Sequence, residues 1–283
     1  MDSNVAVVHR TGVGTLLRAA AFAAAFAVTY VVLVVLPIGQ QADATSFADF
    51  GLANQTIGSA AGLYRLIVPI LLALVALVYG IIALVRRRVA DVARAVLLVL
   101  VSVGLCEGLK LLLPRPNVGD FGYSANTFPS GHVAFAMSTA LAITMVLPRH
   151  ANRAIVAVVM LATVGVAWCS VASFAHRPSD VVGAALVVGA VGCLVLWRSS
   201  TVYDRMPALA PILLCCAGGS VALVVLATII PVGAITLFWP GPGSPLGFLG
   251  WSALCTVAVV SVAALTPRRD ALPSPGSSTD GGR

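Results

Sequence analysis

The sequence predicts an all-α protein: a polytopic membrane helix bundle of about eight transmembrane helices, six forming a core and two following it. Three observations carry this expectation. Of 283 residues, 59% are hydrophobic and only 10% are charged, whereas a soluble domain carries about 25% charged residues. The apolar residues gather into runs of roughly 20, the length a helix needs to cross a bilayer. Arginine collects in alternate connections between those runs, as the positive-inside rule requires. The formal net charge of +7 is therefore topology information rather than a nucleic-acid footprint, and no nucleic-acid partner is expected.

Taken in order, residues 1–18 form a short cytoplasmic start with Arg10 and Arg18. The first span runs from Ala19 to Ile38. Ala42-Asp43-Ala44 resembles a signal-peptide cleavage site, but the apolar run exceeds the ~7–15 residues of a signal core, so a retained anchor is expected. Gly39 to Tyr64 reads as a loop with Asp43 and Asp49 and no Lys or Arg. The second span, Leu66 to Val85, is followed by Arg86-Arg87-Arg88. The third, Ala95 to Leu113, ends at Pro114, which disfavours helix in the residue before it. A polar loop from Arg115 to Ser130 leads to the fourth span, Gly131 to Leu147. The fifth is Ala154 to Phe174, and the sixth is Asp180 to Trp197. Together these make a core of residues 19–198. Residues 199–265 hold two additional spans, Leu209 to Val232 and Phe248 to Leu265. Residues 266–283 form a Pro/Ser/Gly-rich cytoplasmic tail expected to be disordered. Ala185 and Gly189, four apart, suit close helix packing.

Arg10 and Arg18, the Arg86 cluster, Arg149 with Arg153, Arg198 with Arg205, and Arg268 with Arg269 all fall on one side, which is therefore cytoplasmic. Both termini lie inside, and the connections bearing Arg65, Arg115 and Arg177 lie outside. The reading is a multi-pass cell-membrane protein. The preference for Arg over Lys, with abundant Ala and Val, suggests a bacterial source. Cys106, Cys169, Cys193, Cys215, Cys216 and Cys255 all sit in apolar runs without CxxC or Cys/His metal spacing. No disulfide framework, metal or cofactor is expected.

The residues that carry chemistry meet at the outer face. Ser130 reads as a helix N-cap, with Gly131 and His132 in the first turn. The first amides of a helix lack internal partners and attract anions. His132 adds a proton donor or acceptor near neutral pH. Glu107 and Lys110 are charged residues inside the third span, three apart and able to pair. Asp180 follows His176 by four residues, within reach of one imidazole nitrogen, where it would fix the tautomer and leave the other nitrogen nucleophilic. Each feature alone has a plainer reading: capping for Ser130, charge neutralisation for Glu107, a helix-dipole partner for Asp180. Their convergence at one membrane face favours chemistry on a phosphate. The non-enzymatic alternative is a lipid-phosphate-binding protein or transporter using the same basic pocket.

Lys110…Arg115-Pro116, Phe128-Pro129-Ser130-Gly131-His132 and His176…Asp180 resemble the three motifs of the type 2 phosphatidic acid phosphatase family, which includes vanadium haloperoxidases and bacterial acid phosphatases. The resemblance covers roughly Arg65 to Trp197. It implies a metal-independent phosphatase acting on a polyprenyl or glycerophospholipid phosphate or diphosphate. His176 would form a phosphohistidine, Asp180 would orient it, and His132 would protonate the leaving alcohol. Lys110, Arg115, Ser130 and Gly131 would hold the phosphoryl oxygens. Two departures stand out. Four residues separate Lys110 from Arg115 where the family has six, the usual slot being Gly108. The third-motif arginine, six before the histidine, is Ser170 here; Arg177 could replace it, though from a different backbone position.

The arginine distribution makes a direct prediction. A cysteine placed at Ser124 should react with a membrane-impermeant thiol reagent in intact cells, and one at Ser199 should not. The reverse pattern would invert the topology.

Overall fold

In lipid, every backbone amide and carbonyl must be satisfied within the chain, and a chain this apolar does so by helix. A computed structural model describes residues 3–116, 126–148, 153–197 and 245–265, and all regular structure among them is helical. Helix α1 (Ser3–Thr29) continues through a π-helical stretch, Tyr30–Val35. It is followed by α2 (Pro37–Asp49), α3 (Gly51–Val85), α4 (Val89–Leu112), α5 (Gly131–Val146), α6 (Arg153–Ala172) and α7 (Pro178–Leu196). The last described helix, α8, is Pro245–Leu265. Among the described residues, five spans are long and apolar enough to cross a membrane: Val13–Val35, Gly51–Val85, Val89–Leu112, Ile155–Ala172 and Pro178–Leu196. Gly131–Val146 and Gly247–Ala263 are shorter apolar helices. The predicted span Leu209 to Val232, the tail from Thr266, and both labelling positions, Ser124 and Ser199, lie outside the described residues.

One expectation needs correction. Gly39 to Tyr64 is helical, not a loop: α2 fills its first part, and α3 begins at Gly51 and runs for 35 residues. Extended backbone at Leu36 and Pro37 at the first helical position start α2, since proline lacks only an amide that is unpaired there anyway. Hydropathy marks where a helix enters lipid, not where its hydrogen bonding begins. That is why the predicted span started at Leu66 while the helix starts well before it.

Helices α5 and α7 are buried on nearly all sides, and the others surround them. Close approach depends on small residues. A Cβ on Gly183 would lie 2.4 Å from Cε2 of Phe128, so only glycine lets that ring seat on α7. Gly189 faces Phe22 of α1, where a Cβ would come within 3.0 Å of the ring; this is the close packing that its spacing from Ala185 suggested. Helix α8 packs against α6 and α7. Its Trp251, Leu254 and Val259 join the same buried cluster as Met137 and Val188, and Trp168 Nε1 donates to Ser252 Oγ at 3.1 Å. The eighth predicted span thus shares the core's packing.

The bundle has two distinct ends. At one, Arg88 closes the C-terminus of α5: Nη1 donates to the carbonyls of Val146 and Leu147 at 3.0 Å, and Nη2 to that of Met145 at 2.7 Å. Its Nε pairs with Asp91 at 2.9 Å. The last carbonyls of a helix have no internal partner, and a cation there also meets the negative end of the dipole. At the other end, the segments after α1, α4 and α6 converge on the start of α5. Arg88→Ala should lower the unfolding midpoint in detergent, with a loss of about 1–3 kcal/mol for the stranded carbonyls. An unchanged midpoint would show that water serves them equally well.

Candidate functional site

The loop before α5 is held from three directions. Asn126 Nδ2 donates to the carbonyls of Lys110 (3.0 Å) and Leu113 (2.8 Å), tying the loop to the end of α4. Phe128, fully buried, stacks on Phe26 at 5.3 Å and lies 5.7 Å from Tyr30; its bond to Pro129 is cis. The Ser130 amide donates to the Asp180 carbonyl at 2.9 Å. Ser130 has extended backbone, and its side chain accepts from the Val133 amide at 3.4 Å, so it is the N-cap the sequence indicated. This fixes Gly131 and His132 in the first turn, with His132 exposed.

Beside it, the turn after α6 carries the second histidine. The His176 amide donates to the Ser170 carbonyl at 3.0 Å. The His176 ring is buried, with Nδ1 3.4 Å from Asp180 Oδ2. Asp180 Oδ2 also accepts from the Arg177 amide at 3.0 Å and from the Thr127 hydroxyl. With Nδ1 turned to the carboxylate, Nε2 is the nitrogen left for chemistry. The two imidazole centroids are 6.3 Å apart. Sequence spacing anticipated the Asp180–His176 pair. Thr127, just before the motif Phe128–His132, had no role in the sequence reading.

Arg115 is the centre of a buried ion network. Nη1 pairs with Asp180 Oδ1 and Nη2 with Asp43 Oδ2, each at 3.1 Å. Asp43 arrives from α2 and also accepts from the Ser179 amide at 3.0 Å and from its hydroxyl. Both carboxylates are fully buried. Leu113 is extended, so Arg115 lies beyond the helix and its direction does not follow helical periodicity.

Lys110 meets the site despite its short spacing from Arg115. On a regular helix five residues rotate a side chain by about 140°, whereas seven return it to within about 20°; the break at Pro114 removes that constraint. Lys110 Nζ pairs with Glu107 Oε1 at 2.7 Å. Both abut Gly131: a Cβ there would lie 3.3 Å from Lys110 Nζ and 2.1 Å from Glu107 Oε1. Any side chain at position 131 would make the flexible Glu107 carboxylate move aside.

Basic side chains, helix-start amides and a carboxylate-backed histidine pair are now assembled at one end of an apolar bundle, and comparison with known families agrees. The segment 91–204 matches the PAP2 superfamily. It contains Lys110, Arg115, Ser130, Gly131, His132, His176, Arg177 and Asp180. Comparison with curated proteins and with solved structures gave no match. The match is consistent with phosphatase-type hydrolysis in general, and the long apolar helices support a multi-pass membrane protein.

Arg177, Arg65 and Asp43 each stand apart from the matched motif residues. The Arg177 guanidinium lies 5.8 Å from the centroid of the Phe47 ring on α2, and the residue is only 2% exposed. Arg65, the single charged residue of α3, stands outside the matched residues and had been counted only as an outer-face arginine. Asp43 likewise had been counted only as loop charge. A charge inside a membrane-length helix, and an acid inside a proline-started helix, were the available signals.

Burial lifts the Asp43 carboxyl to about 6, against the opposing pull of Arg115 and the Ser179 donors. An acid that holds its proton more tightly when folded than when unfolded contributes stability that is lost as pH rises between the ordinary value of about 4 and the folded one. The stability of the parent relative to Asp43→Asn should therefore decline from pH 4 to the folded value of about 6 and level off above it. Parallel pH–stability curves for the two proteins would contradict this.

Proposed function

We propose that the protein hydrolyses a lipid phosphate or diphosphate, of polyprenyl or glycerophospholipid type, at the outer face of the cell membrane through a phosphohistidine. The observation that carries this reading is the Asp180–His176 contact through Nδ1 at 3.4 Å, with His132 6.3 Å away, centroid to centroid, at the exposed mouth. His176 Nε2 attacks phosphorus, and the lipid oxygen leaves with a proton from His132. The same imidazole, now neutral, draws a proton from the water that attacks the phosphohistidine, and inorganic phosphate departs. Asp180 holds the His176 tautomer and offsets the charge the ring gains. Lys110, Arg115, Arg177 and the helix-start backbone at Ser130 and Gly131 bind the phosphoryl oxygens, with the amides serving developing negative charge.

The first test is phosphate release from lipid phosphates in detergent with EDTA present. The roles are then separated by leaving group. His176→Ala should abolish both turnover and any acid-labile phosphoenzyme. His132→Ala should be partly rescued by an aryl phosphate whose phenol leaves without protonation. Asp180→Asn should fall between them. Phosphoenzyme trapped on His176→Ala, or rescue of that variant instead of His132→Ala, would reverse the assignment.

A further inference from the structure

The segment that matches the PAP2 superfamily lacks a cation at Ser170. That residue is fully buried, and its hydroxyl is spent on the Val166 carbonyl at 2.7 Å. Of the cations already named, Arg115 is committed to Asp43 and Asp180, and Arg177 packs over Phe47. Lys110 is paired with Glu107. A phosphoryl group carrying up to two negative charges would thus meet two cations, Arg115 and Lys110, whose charge carboxylates already offset.

Helix α3 supplies another. It packs along α6: Asn54 Nδ2 donates to the Ala172 carbonyl at 2.9 Å, and the Tyr64 hydroxyl to that of Ala162 at 3.4 Å. Gly62 lies opposite Ser173, and Gly165 opposite Tyr64. The Gly62–Ser173 contact, continued antiparallel, puts Arg65 level with Ser170, while the long Tyr64 side chain reaches one to two turns further along α6, to Ala162 and Gly165. Arg65 also falls on the inward stripe of α3, four residues from buried Ala61 and four from buried Pro69. Among the described residues it has no ion-pair partner, and its Nε is buried without a hydrogen bond. Burial aside, its charge has the largest electrostatic effect on the His132 ring, ahead of His176 and Lys110. An unpaired guanidinium in an apolar helix is costly unless something binds it.

We infer that Arg65 is a phosphoryl-contacting residue, supplying from α3 the guanidinium that Ser170 does not provide from α6. This rests on the phosphatase reading for its catalytic consequence, but not for anion binding. The guanidinium contacts the phosphoryl oxygens on the His132 side and binds them more strongly as charge develops in the transition state.

The experiment uses the full chain in detergent with Arg65→Ala, Arg65→Lys, Ser170→Arg and the double variant Arg65→Ala/Ser170→Arg. Arg65→Ala should lose turnover by about 10²–10³-fold, and Arg65→Lys should retain an intermediate rate. An aryl phosphate with an acidic phenol should not rescue Arg65→Ala, which separates contact with phosphorus from an effect through His132. The double variant should recover at least about tenfold over Arg65→Ala, the usual scale for one restored charged contact. Because Ser170 is buried, that arm is read only on monodisperse protein, and the alanine and lysine variants decide the matter without it. Binding is read separately, as the rise in thermal midpoint with inorganic phosphate or vanadate. If the parent hydrolyses no lipid phosphate, the functional reading fails; Arg65 still stands if both anions stabilise the parent and not Arg65→Ala. Equal stabilisation of parent and Arg65→Ala, no stabilisation of the parent, or turnover of Arg65→Ala within about threefold of the parent would overturn the inference.

Discussion

The buried carboxylate of Asp180 is the constraint on which the rest of the site depends. A fully desolvated carboxylate must have its lone pairs filled by donors or it becomes prohibitively costly. Asp180 meets that demand from four places in the chain: the Arg115 guanidinium, the Thr127 hydroxyl, the Arg177 amide and the His176 ring. Each donor comes from a segment that would otherwise be free to wander at the end of a helix. Its own backbone carbonyl then accepts the Ser130 amide and sets where α5 begins. One side chain and one carbonyl thus align the start of α5, the exit of α4 and the turn before α7. Removing any partner from such a buried network costs several kcal/mol, because the remaining charges stay buried.

Asp43 adds a second acid to this network, and with it a tension. Two buried carboxylates share one guanidinium, so their mutual repulsion and burial oppose the attraction of Arg115. The Ser179 amide and hydroxyl relieve part of the strain. The arrangement gives rigidity where a nucleophile must be aimed, and it uses up positive charge where an anion must be bound. Glu107 does the same to Lys110. The site is therefore less basic than its residue content suggests, and on the proposed reading oriented backbone donors would carry more of an anion's recognition.

What could be read from the sequence divides along physical lines. Apolar runs gave the membrane-spanning helices, because lipid imposes a length and a composition. Local spacing gave the Ser130 cap and the Asp180–His176 pair, because both are contacts within one helical turn. Long-range contacts were not legible. Asp43 lies 136 positions from Ser179, and nothing in its local surroundings says which charge it will meet. The α2 segment was missed for a related reason: a helix that lies outside the hydrocarbon need not be apolar. Lys110 was displaced from its customary slot by two residues, and only the break after α4 shows how it still reaches Gly131.

The length of α3 sets a depth. At 1.5 Å per residue, the stretch from Arg65 to Val85 measures about 30 Å, one hydrocarbon thickness, and the rest of the 35-residue helix continues beyond it. With the Arg86 end at one edge of the hydrocarbon, a guanidinium one full thickness away would lie in the plane of the lipid headgroups. A lipid meeting the histidines there has only its headgroup to move, while its tail stays dissolved among its neighbours. The search for substrate becomes two-dimensional. Phosphate esters without a tail must instead arrive from bulk water, so the bilayer itself discriminates between the two before any side chain does.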